Sequence, residues 1–364
     1  MPYDADMHIS PLSSESHSVV VEGKAEAMVD ALKRGINEQV IPGAAIIWGS
    51  PNRFLLDRAV GYAEVVPTRV EAQNSTIYDI ASLTKVVATW PLVAQALQSG
   101  ALQLTQTVGD LIPESAQAPA APITIQQLLT HTSGLMQATW LSQYPRNAAT
   151  IRERLVNEKL EWIPGSRVSY SNRPFILLGF ILEQVLGMPL ERACKEYVWK
   201  PLDMPDTTFN PDGSVLARIA STEERDGTCL KGSVHDESAA WLGGVAGHAG
   251  AFSTTRDLSR FASAVLTRSA VVGGHEVSAL TFTDHTKQLG VSRGLAWESY
   301  EDWNPSGNVW GHLGFTGTSL WLDFGRNEYL VLLSNRVHPK RGDPQAMRAL
   351  RQEVFSKWQE TPLQ

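Results

Sequence analysis

The chain has 364 residues, of which 43% are hydrophobic and 19% are charged, and its formal net charge is -7. These values are typical of a globular protein with one large domain or two. The mild acidity and the lack of a basic block argue against nucleic acid and anionic membranes as partners, and no apolar stretch reaches the ~18 residues needed to span a bilayer.

The N-terminal segment lacks the features of a secretory signal. Residues 1–18 are polar and carry Asp4, Asp6 and Glu15, without a basic end or an apolar run. The chain as given is therefore predicted to be cytoplasmic, or periplasmic if a leader has been removed. Residues 1–21 are predicted to form a flexible tail.

Strand patterns lie near both ends of the chain. After a predicted helix over residues 22–39, two β-rich runs at 44–49 and 54–62 flank a Ser-Pro-Asn turn and predict a hairpin. Two more strands are predicted at 318–324 and 328–335. They are followed by a last helix at 344–358.

The middle of the chain is predicted to be mostly helical. Thr124 is placed to cap IQQLL, and FILLGFILEQVLG forms a strong helical pattern that stops at Gly187. Thr254 and Asp257 form a capping-box pattern before LSRFASAVL.

This order of elements predicts an α+β fold. The terminal strands are expected to form one antiparallel β-sheet flanked by the N- and C-terminal helices, with residues 22–80 and 251–364 in this sheet lobe. Residues 81–250 are expected to form an inserted, mostly helical lobe. The active site is expected in the cleft between the two lobes.

The stretch YDIASLTKVVATW places Ser82 and Lys85 one helical turn apart. An S-x-x-K string alone is more typical of an ordinary helix start with a solvated lysine. However, this is the only S-x-x-K in the chain, and Lys85 is the only charge between Asp79 and Asp110. A lysine in such apolar surroundings can serve as the base that activates a serine nucleophile.

The segment SYSNRP contains the only Y-x-N of the chain, formed by Tyr170 and Asn172. One interpretation is a turn asparagine beside a packed tyrosine. The functional interpretation is that the Tyr170 phenol shares a proton with Lys85 and relays it to the leaving group. Asn172 would then orient Lys85 and hold a substrate carbonyl.

The segment WGHLGFTGTSLWLDF combines several glycines with a predicted strand. It is either a sheet edge with turn glycines or a strand that lines the cleft, where glycine lets the backbone approach a ligand closely. In the second case a backbone N–H of this segment, with the N–H of Ser82, would stabilise a tetrahedral oxyanion.

In this order, SLTK, YSN and HLG resemble the three active-site motifs of the serine β-lactamase and penicillin-binding-protein superfamily. The nearest branch is that of the class C β-lactamase-related esterases and D-aminopeptidases. LLTHTSGL and GGVAGHAGAFST add to the resemblance, which covers roughly residues 24–358. It implies that Ser82 is the acylated nucleophile and that Lys85 and Tyr170 form the general base pair. It also implies substrate-binding roles for four residues, Asn172, His312, Gly314 and Phe315, the last through an amide that completes the oxyanion hole.

The third motif departs from the family pattern, which usually begins with lysine followed by Thr-Gly. Here His312 and Leu313 take the first two places. A histidine with an unperturbed pKa near ~6.5 carries only a partial charge at neutral pH, so it would bind a substrate carboxylate less well than lysine does. The change favours ester or amide chemistry on a neutral acyl group.

The sequence therefore predicts a serine hydrolase, with carboxylesterase activity on small to medium acyl esters as the first choice. The alternatives are an acyltransferase and a D-amino-acid peptidase or amidase, with β-lactamase activity weak at most. A non-catalytic relative that binds peptidoglycan or a partner protein is less favoured, because a pure binder does not need Ser82, Lys85 and Tyr170 together.

No cofactor or metal is predicted. G-x-S-x-G and H-E-x-x-H are absent, and His131, His235 and His248 show no metal-ligand spacing. The predicted partner is a small-molecule ester, amide or peptide substrate, and the oligomeric state is not indicated. Three tryptophans stand near the site segments, and some of them are predicted to form an apolar wall for an acyl chain: Trp140, Trp241 and Trp310.

Overall fold

The computed structural model describes residues 14–138, 140–304 and 308–360. The strands are β1 (Gly43–Ser50), β2 (Arg53–Glu64), β3 (Val70–Glu71), β4 (Tyr78–Asp79), β5 (Thr208–Phe209), β6 (Glu224–Arg225), β7 (Thr228–Cys229), β8 (Ala251–Ser253), β9 (Glu298–Ser299), β10 (Val309–Leu313), β11 (Ser319–Asp323) and β12 (Glu328–Ser334).

The α-helices are α1 (Ser14–Asn37), α2 (Trp90–Gln98), α3 (Val108–Leu111), α4 (Ile125–Leu129), α5 (Ala148–Asn157), α6 (Arg173–Leu186), α7 (Leu190–Cys194), α8 (Glu237–Trp241), α9 (Thr255–Leu266), α10 (Gly274–Thr281) and α11 (Pro344–Gln359). Short 3₁₀ or π turns complete the chain at Ala81–Leu83, Lys85–Thr89, Pro113–Ser115, Leu141–Gln143, Lys195–Trp199, Gly213–Arg218, Ala270–Val272 and Lys287–Leu289.

The main sheet joins strands from both ends of the chain, as predicted. Within the described ranges it is antiparallel with the order β3-β2-β1-β12-β11-β10-β9. The inner strand β1 pairs with the central strand β12, so that Ala45 faces Leu333 across the ladder. β1 is buried along nearly its whole length, which explains its continuous apolar run AAIIW.

Alternate side chains of the sheet enter two different cores. Ile46 and Trp48 point to the layer formed by α1 and α11, where they pack near Phe355. Ala45 and Ile47 point to the opposite core, which continues into the helical lobe. The sheet is therefore covered by the first and last helices on one side, and the α+β architecture is confirmed.

The predicted helix signals of the middle region are confirmed by their caps. Thr124 forms a capping box with Gln127 at the start of α4, and the Thr254 side chain accepts a hydrogen bond from the Asp257 amide at α9. α6 ends at Gly187 in the left-handed region. No single helix among the described residues is long and apolar enough to cross a bilayer. α6 and Leu190–Trp199 pass that test only as a pair bent by 77°.

The structure has two features that the sequence analysis did not predict. α1 begins at Ser14, so the predicted tail over residues 1–21 is corrected for 14–21, while 1–13 lie outside the described ranges. The residues SESHS lack an apolar stripe but contain no Pro or Gly that would stop a helix. A small sheet of β4, β8 and β5 joins the two lobes where the chain passes from one to the other.

Candidate active site

Ser82 lies in an irregular turn between β4 and α2. Ala81 adopts a φ of 47°, a left-handed conformation that is uncommon for a residue with a side chain. A carboxylate oxygen of Asp79 accepts a hydrogen bond of 2.8 Å from the Ala81 amide and holds this turn. A 3₁₀ turn at Ala81–Leu83 and a π turn at Lys85–Thr89 then precede α2. Such π segments are frequent at functional sites.

Lys85 is fully buried and its ammonium group has three acceptors. The Nζ atom donates to Ser82 Oγ at 2.9 Å, to Asn172 Oδ1 at 2.9 Å and to the His248 carbonyl at 3.2 Å. An ammonium group has three N–H donors, so these bonds fix its orientation. The structure therefore brings Ser82, Lys85 and Asn172 together from two separate segments.

Tyr170 lies beside this group and lines the same cavity as Ser82. Its ring centroid is 5.1 Å from Lys85 Nζ and 4.5 Å from the ring centroid of His131. Asn172 stands at the N-cap of α6 but makes no side-chain cap bond, because its carbonyl oxygen accepts from Lys85 instead.

The third motif lies at the end of β10, across the cavity. Its turn is tied to the Ser82 turn by two hydroxyl groups. Thr316 donates to the Asp79 carbonyl at 2.8 Å, and Thr318 donates to the Ile80 carbonyl at 3.0 Å. Among the described residues, no acceptor takes the amide N–H of Ser82 or of Phe315. Both amides are free to stabilise an oxyanion.

His312 is buried in the wall of this site, where its neutral form is favoured at physiological pH. Burial and the positive charges of Lys85 and Arg293 lower the pKa of His312 well below its usual value. Its Nδ1–H group donates to the Leu313 carbonyl at 2.9 Å, while Nε2 has no partner in the described part of the chain. His312 therefore supplies no positive charge for a substrate carboxylate.

A second ionisable pair lies on the other side of Lys85. The Nε2–H of His248 donates to Asp236 Oδ1 at 2.8 Å, and Asp236 also lines the cavity. Burial opposes the carboxylate charge, but the interaction with His248 outweighs it and holds the pKa of Asp236 below its usual range. The backbone carbonyl of His248 accepts a hydrogen bond from Lys85. The GHAG segment therefore helps to position the lysine.

Arg293 is a site residue that the motif analysis did not single out. It lines the cavity with its guanidinium carbon 5.6 Å from the Tyr170 ring centroid. One nitrogen, Nη2, lies 3.3 Å from a carboxylate oxygen of Glu298. The other two, Nε and Nη1, are buried and have no hydrogen-bond partner among the described residues. A lone arginine in a loop carries no sequence motif that would have identified it.

The cavity between the lobes has a volume of about 630 Å³. All of the predicted site residues that bind substrate line it, as does Ser82, whereas Lys85 lies just beneath its wall. Of the three predicted tryptophans, Trp140 lines the cavity, but Trp241 and Trp310 do not. Over the described ranges, no group of three or more His, Cys, Asp or Glu side chains is placed to hold a metal ion.

Comparison with known proteins identifies the family of the chain. The sequence matches the model of the Beta-lactamase family over residues 25–354. The chain belongs to the β-lactamase family. A protein of Escherichia coli strain K12 named "Putative D-alanyl-D-alanine carboxypeptidase" is 30% identical, over 92% of this chain and 89% of that protein.

Solved structures of the family share the fold. A class C β-lactamase superposes with a TM-score of 0.77 at 19% identity, over 93% of this chain and 97% of that one. EstCE1, described as a hydrolase with promiscuous acyltransferase activity, superposes with a TM-score of 0.73 at 20% identity, over 91% and 99%. As a member of the β-lactamase family with this fold, the protein is a serine hydrolase.

Proposed function

We propose that the protein is a carboxypeptidase-type serine hydrolase, which cleaves the last amide bond of short peptides that end in a free carboxylate. The observation that carries this proposal is the buried guanidinium group of Arg293, with two unpartnered nitrogens in the wall of the Ser82 cavity. A buried donor without an acceptor is costly, so a ligand that supplies the acceptor is favoured.

The proposed chemistry proceeds through an acyl-enzyme on Ser82. In its unprotonated form, the Lys85 amine, which lies 2.9 Å from Ser82 Oγ, accepts the hydroxyl proton as the oxygen attacks the substrate carbonyl. The amides of Ser82 and Phe315 stabilise the tetrahedral oxyanion. Lys85 passes this proton through the Tyr170 phenol to the leaving amine as the C–N bond breaks. Water then hydrolyses the acyl ester, which releases the acid and restores the Ser82 hydroxyl.

Arg293 is placed where it can replace the lysine that the third motif lacks. It forms a bridge to Glu298 on β9, and Glu298 pairs with Gly311, the neighbour of His312 on β10. Arginine presents parallel N–H donors that match a carboxylate in a bidentate arrangement. The charge that the sequence analysis found missing at His312 is thus available from a different segment. For this reason we rank the peptidase above the esterase that the motifs alone favour.

A second candidate function is the carboxylesterase or acyltransferase activity predicted from the sequence. It is supported by the neutral state of His312 and by two exposed aromatic side chains in the cavity wall, Trp140 and Phe315, which suit an apolar acyl group. The resemblance to EstCE1 is consistent with it.

Paired substrates separate the two candidates. We expect a peptide ending in D-alanyl-D-alanine to be cleaved about 10–100-fold faster in kcat/KM than the same peptide with an amidated C-terminus, since a hydrogen bond to a charged group contributes ~1.5–3 kcal/mol. Arg293→Gln should remove this preference without changing turnover of a p-nitrophenyl ester.

The matched control is Arg341→Gln, because Arg341 also lines the cavity but is already paired with Glu223 and Glu237. It should keep the preference for the free carboxylate. Equal cleavage of the free and amidated peptides by the unmodified protein would contradict the proposal. Turnover of esters alone would support the second candidate.

A further inference from the structure

Arg351 is a buried cation that reaches the third motif from α11. Only 8% of the residue is exposed. Its Nη2 atom donates to the Gly314 carbonyl at 2.7 Å and to the Thr318 carbonyl at 2.8 Å, and its Nε donates to Ser319 Oγ at 2.9 Å. In the described part of the chain, no carboxylate forms an ion pair with it. Burial lowers the pKa of Arg351 to about 10, so the group stays charged at neutral pH.

Burial of a guanidinium group without a counter-ion is energetically unfavourable as a means of connecting a helix to a sheet. Desolvation of a charge costs several kcal/mol unless other interactions compensate, and neutral side chains of similar volume would often do the same structural work. The position of the charge therefore needs a reason beyond packing.

The carbonyl that Arg351 binds belongs to one particular peptide unit. The C=O of Gly314 and the N–H of Phe315 are the two ends of the same peptide bond. This bond is trans, since cis bonds in the described residues occur only at Val66-Pro67 and His338-Pro339. In a trans unit the C=O and the N–H point in opposite directions. Arg351 therefore binds the carbonyl side of the peptide unit, and the free Phe315 N–H lies on the opposite side of the same unit.

A charged donor on the C=O has two effects on that N–H. It fixes the rotation of the peptide plane, and it polarises the unit so that the N–H becomes a stronger donor. Its positive charge also lies on the carbonyl side of the peptide unit whose N–H would donate to the developing oxyanion. The electrostatic effects grow as the tetrahedral anion forms, whereas the orientation of the peptide plane is fixed throughout the reaction.

We propose that Arg351 is a positioning residue for the oxyanion hole: through the Gly314 carbonyl it orients and polarises the Phe315 amide, which stabilises the tetrahedral anion. The inference rests on the acyl-enzyme chemistry proposed for Ser82. It holds for ester and peptide substrates alike, because both pass through the same anion.

Arg336 provides a matched control in the same turn. It is similarly buried, at 6% exposed, and its Nε donates to the Phe315 carbonyl at 2.7 Å. That carbonyl belongs to the next peptide unit, whose N–H is that of Thr316. Loss of Arg336 therefore removes a comparable buried bond to the turn at the next peptide unit, together with the contact between its guanidinium carbon and the Phe315 ring, whose centroid is 4.6 Å away.

The experiment compares Arg351→Met, Arg351→Lys and Arg336→Met with the unmodified protein. It measures kcat and KM on a p-nitrophenyl ester, the affinity for a phenylboronic acid that forms a tetrahedral adduct with serine, and the thermal midpoint. We expect Arg351→Met to lower kcat and boronate affinity by about 10-fold or more with little change in KM, a smaller effect than direct loss of an oxyanion donor. Arg351→Lys should recover most of this loss. Arg336→Met, which also alters the cavity wall, should lower kcat and boronate affinity much less than Arg351→Met does.

Three results overturn the inference: full kcat and boronate affinity in Arg351→Met, an equal loss in Arg336→Met, or a rise in KM alone, which would indicate direct substrate contact. If the methionine variant does not fold, Arg351→Gln, which keeps a donor but not the charge, takes its place with the same criteria. Labelling of Ser82 by a fluorophosphonate in the unmodified protein separates the two proposals. A labelled protein with an insensitive Arg351 overturns only this one, whereas an unlabelled, inactive protein overturns both.

Discussion

Lys85 Nζ lies 2.9 Å from Ser82 Oγ, and the lysine is completely buried. The same nitrogen is held by the side chain of Asn172 and by the backbone of His248, so its position does not depend on the serine. A preorganised base of this kind is what a serine hydroxyl requires to become a nucleophile.

Asn172 should be needed for activity but not for capping α6. Asn172→Leu removes an acceptor from Lys85, and we expect kcat/KM to fall about 10-fold or more. Asn172→Asp should be worse at neutral pH, because a carboxylate at this distance stabilises the charged ammonium form, and activity should recover partly as the pH rises. Steady-state kinetics from pH 6 to 10, a range of about four units around the titration of amines, measure both effects.

The control for this change is Asn147, whose side chain caps α5. Asn147→Leu should lower the free energy of unfolding by about 1 kcal/mol and leave kcat/KM unaltered. A loss of activity in Asn147→Leu equal to that in Asn172→Leu would show that the effect is structural.

Tyr170→Phe should separate the role of the Tyr170 hydroxyl group from that of its aromatic ring. The ring contacts with His131 and Lys85 remain, so the thermal midpoint should not change. Without the hydroxyl, proton transfer to the leaving group loses about 10²–10⁴-fold, and kcat should fall accordingly. Tyr197→Phe, at a tyrosine of similar exposure outside the cavity, should be silent. Wild-type kcat in Tyr170→Phe would remove the phenol from the proposed mechanism.

The buried histidines should make stability depend on pH. Burial, aided by the nearby positive charges, lowers the pKa of both His131 and His312 well below the usual value. Below about pH 6.5 the unfolded chain therefore binds protons that the folded chain does not, and the free energy of unfolding falls as the pH falls. Each group contributes up to about 1.4 kcal/mol per pH unit.

Urea unfolding between pH 5 and 8, a window of about three units across the histidine titration, tests this expectation. Asp79 has the opposite effect on stability, because burial raises its pKa to about 6. Between about pH 4 and 6 the folded chain binds a proton at Asp79 that the unfolded chain does not, so this group raises the free energy of unfolding as the pH falls. The comparison of the unmodified protein with His312→Asn isolates the histidine. The variant should lose less stability on acidification, and identical slopes would contradict the assignment of a neutral, buried His312.

Gly314→Ala should disrupt the third motif by steric conflict. A Cβ at this position would lie 2.0 Å from Thr318 Oγ1 and 2.7 Å from the Ile80 carbonyl oxygen. We expect a loss of about 1–3 kcal/mol in the free energy of unfolding, together with loss of activity, because the same contacts hold the Ser82 turn. Gly213→Ala is the control, since a Cβ there meets no atom within 4 Å. Chemical denaturation and ester turnover report the two effects.

The sequence was sufficient for features that depend on local patterns. The capping residues Thr124 and Thr254, the stop at Gly187 and the two strand pairs are confirmed because each is determined by neighbours in the chain. The convergence of Ser82, Lys85 and Asn172 was predicted because all three belong to recognisable motifs.

The site residues that the sequence did not reveal contact partners that are far away along the chain. Arg293 and Arg351 are single arginines that only folding places beside Tyr170 and the Gly314 carbonyl, where the roles proposed for them arise. The turn at Ser82 also differs from a regular helix start, because the Asp79 carboxylate holds Ala81 in a left-handed conformation. Neither a periodicity nor a capping rule describes such contacts.

Covalent labelling tests the central claim most directly. The protein, Ser82→Ala and Lys85→Met are each incubated with a fluorophosphonate, and the intact masses are followed over time. The account predicts a single adduct on Ser82 in the unmodified protein, none in Ser82→Ala and labelling slowed by about 10²-fold or more in Lys85→Met. An unlabelled protein, or equal labelling of all three, would contradict it.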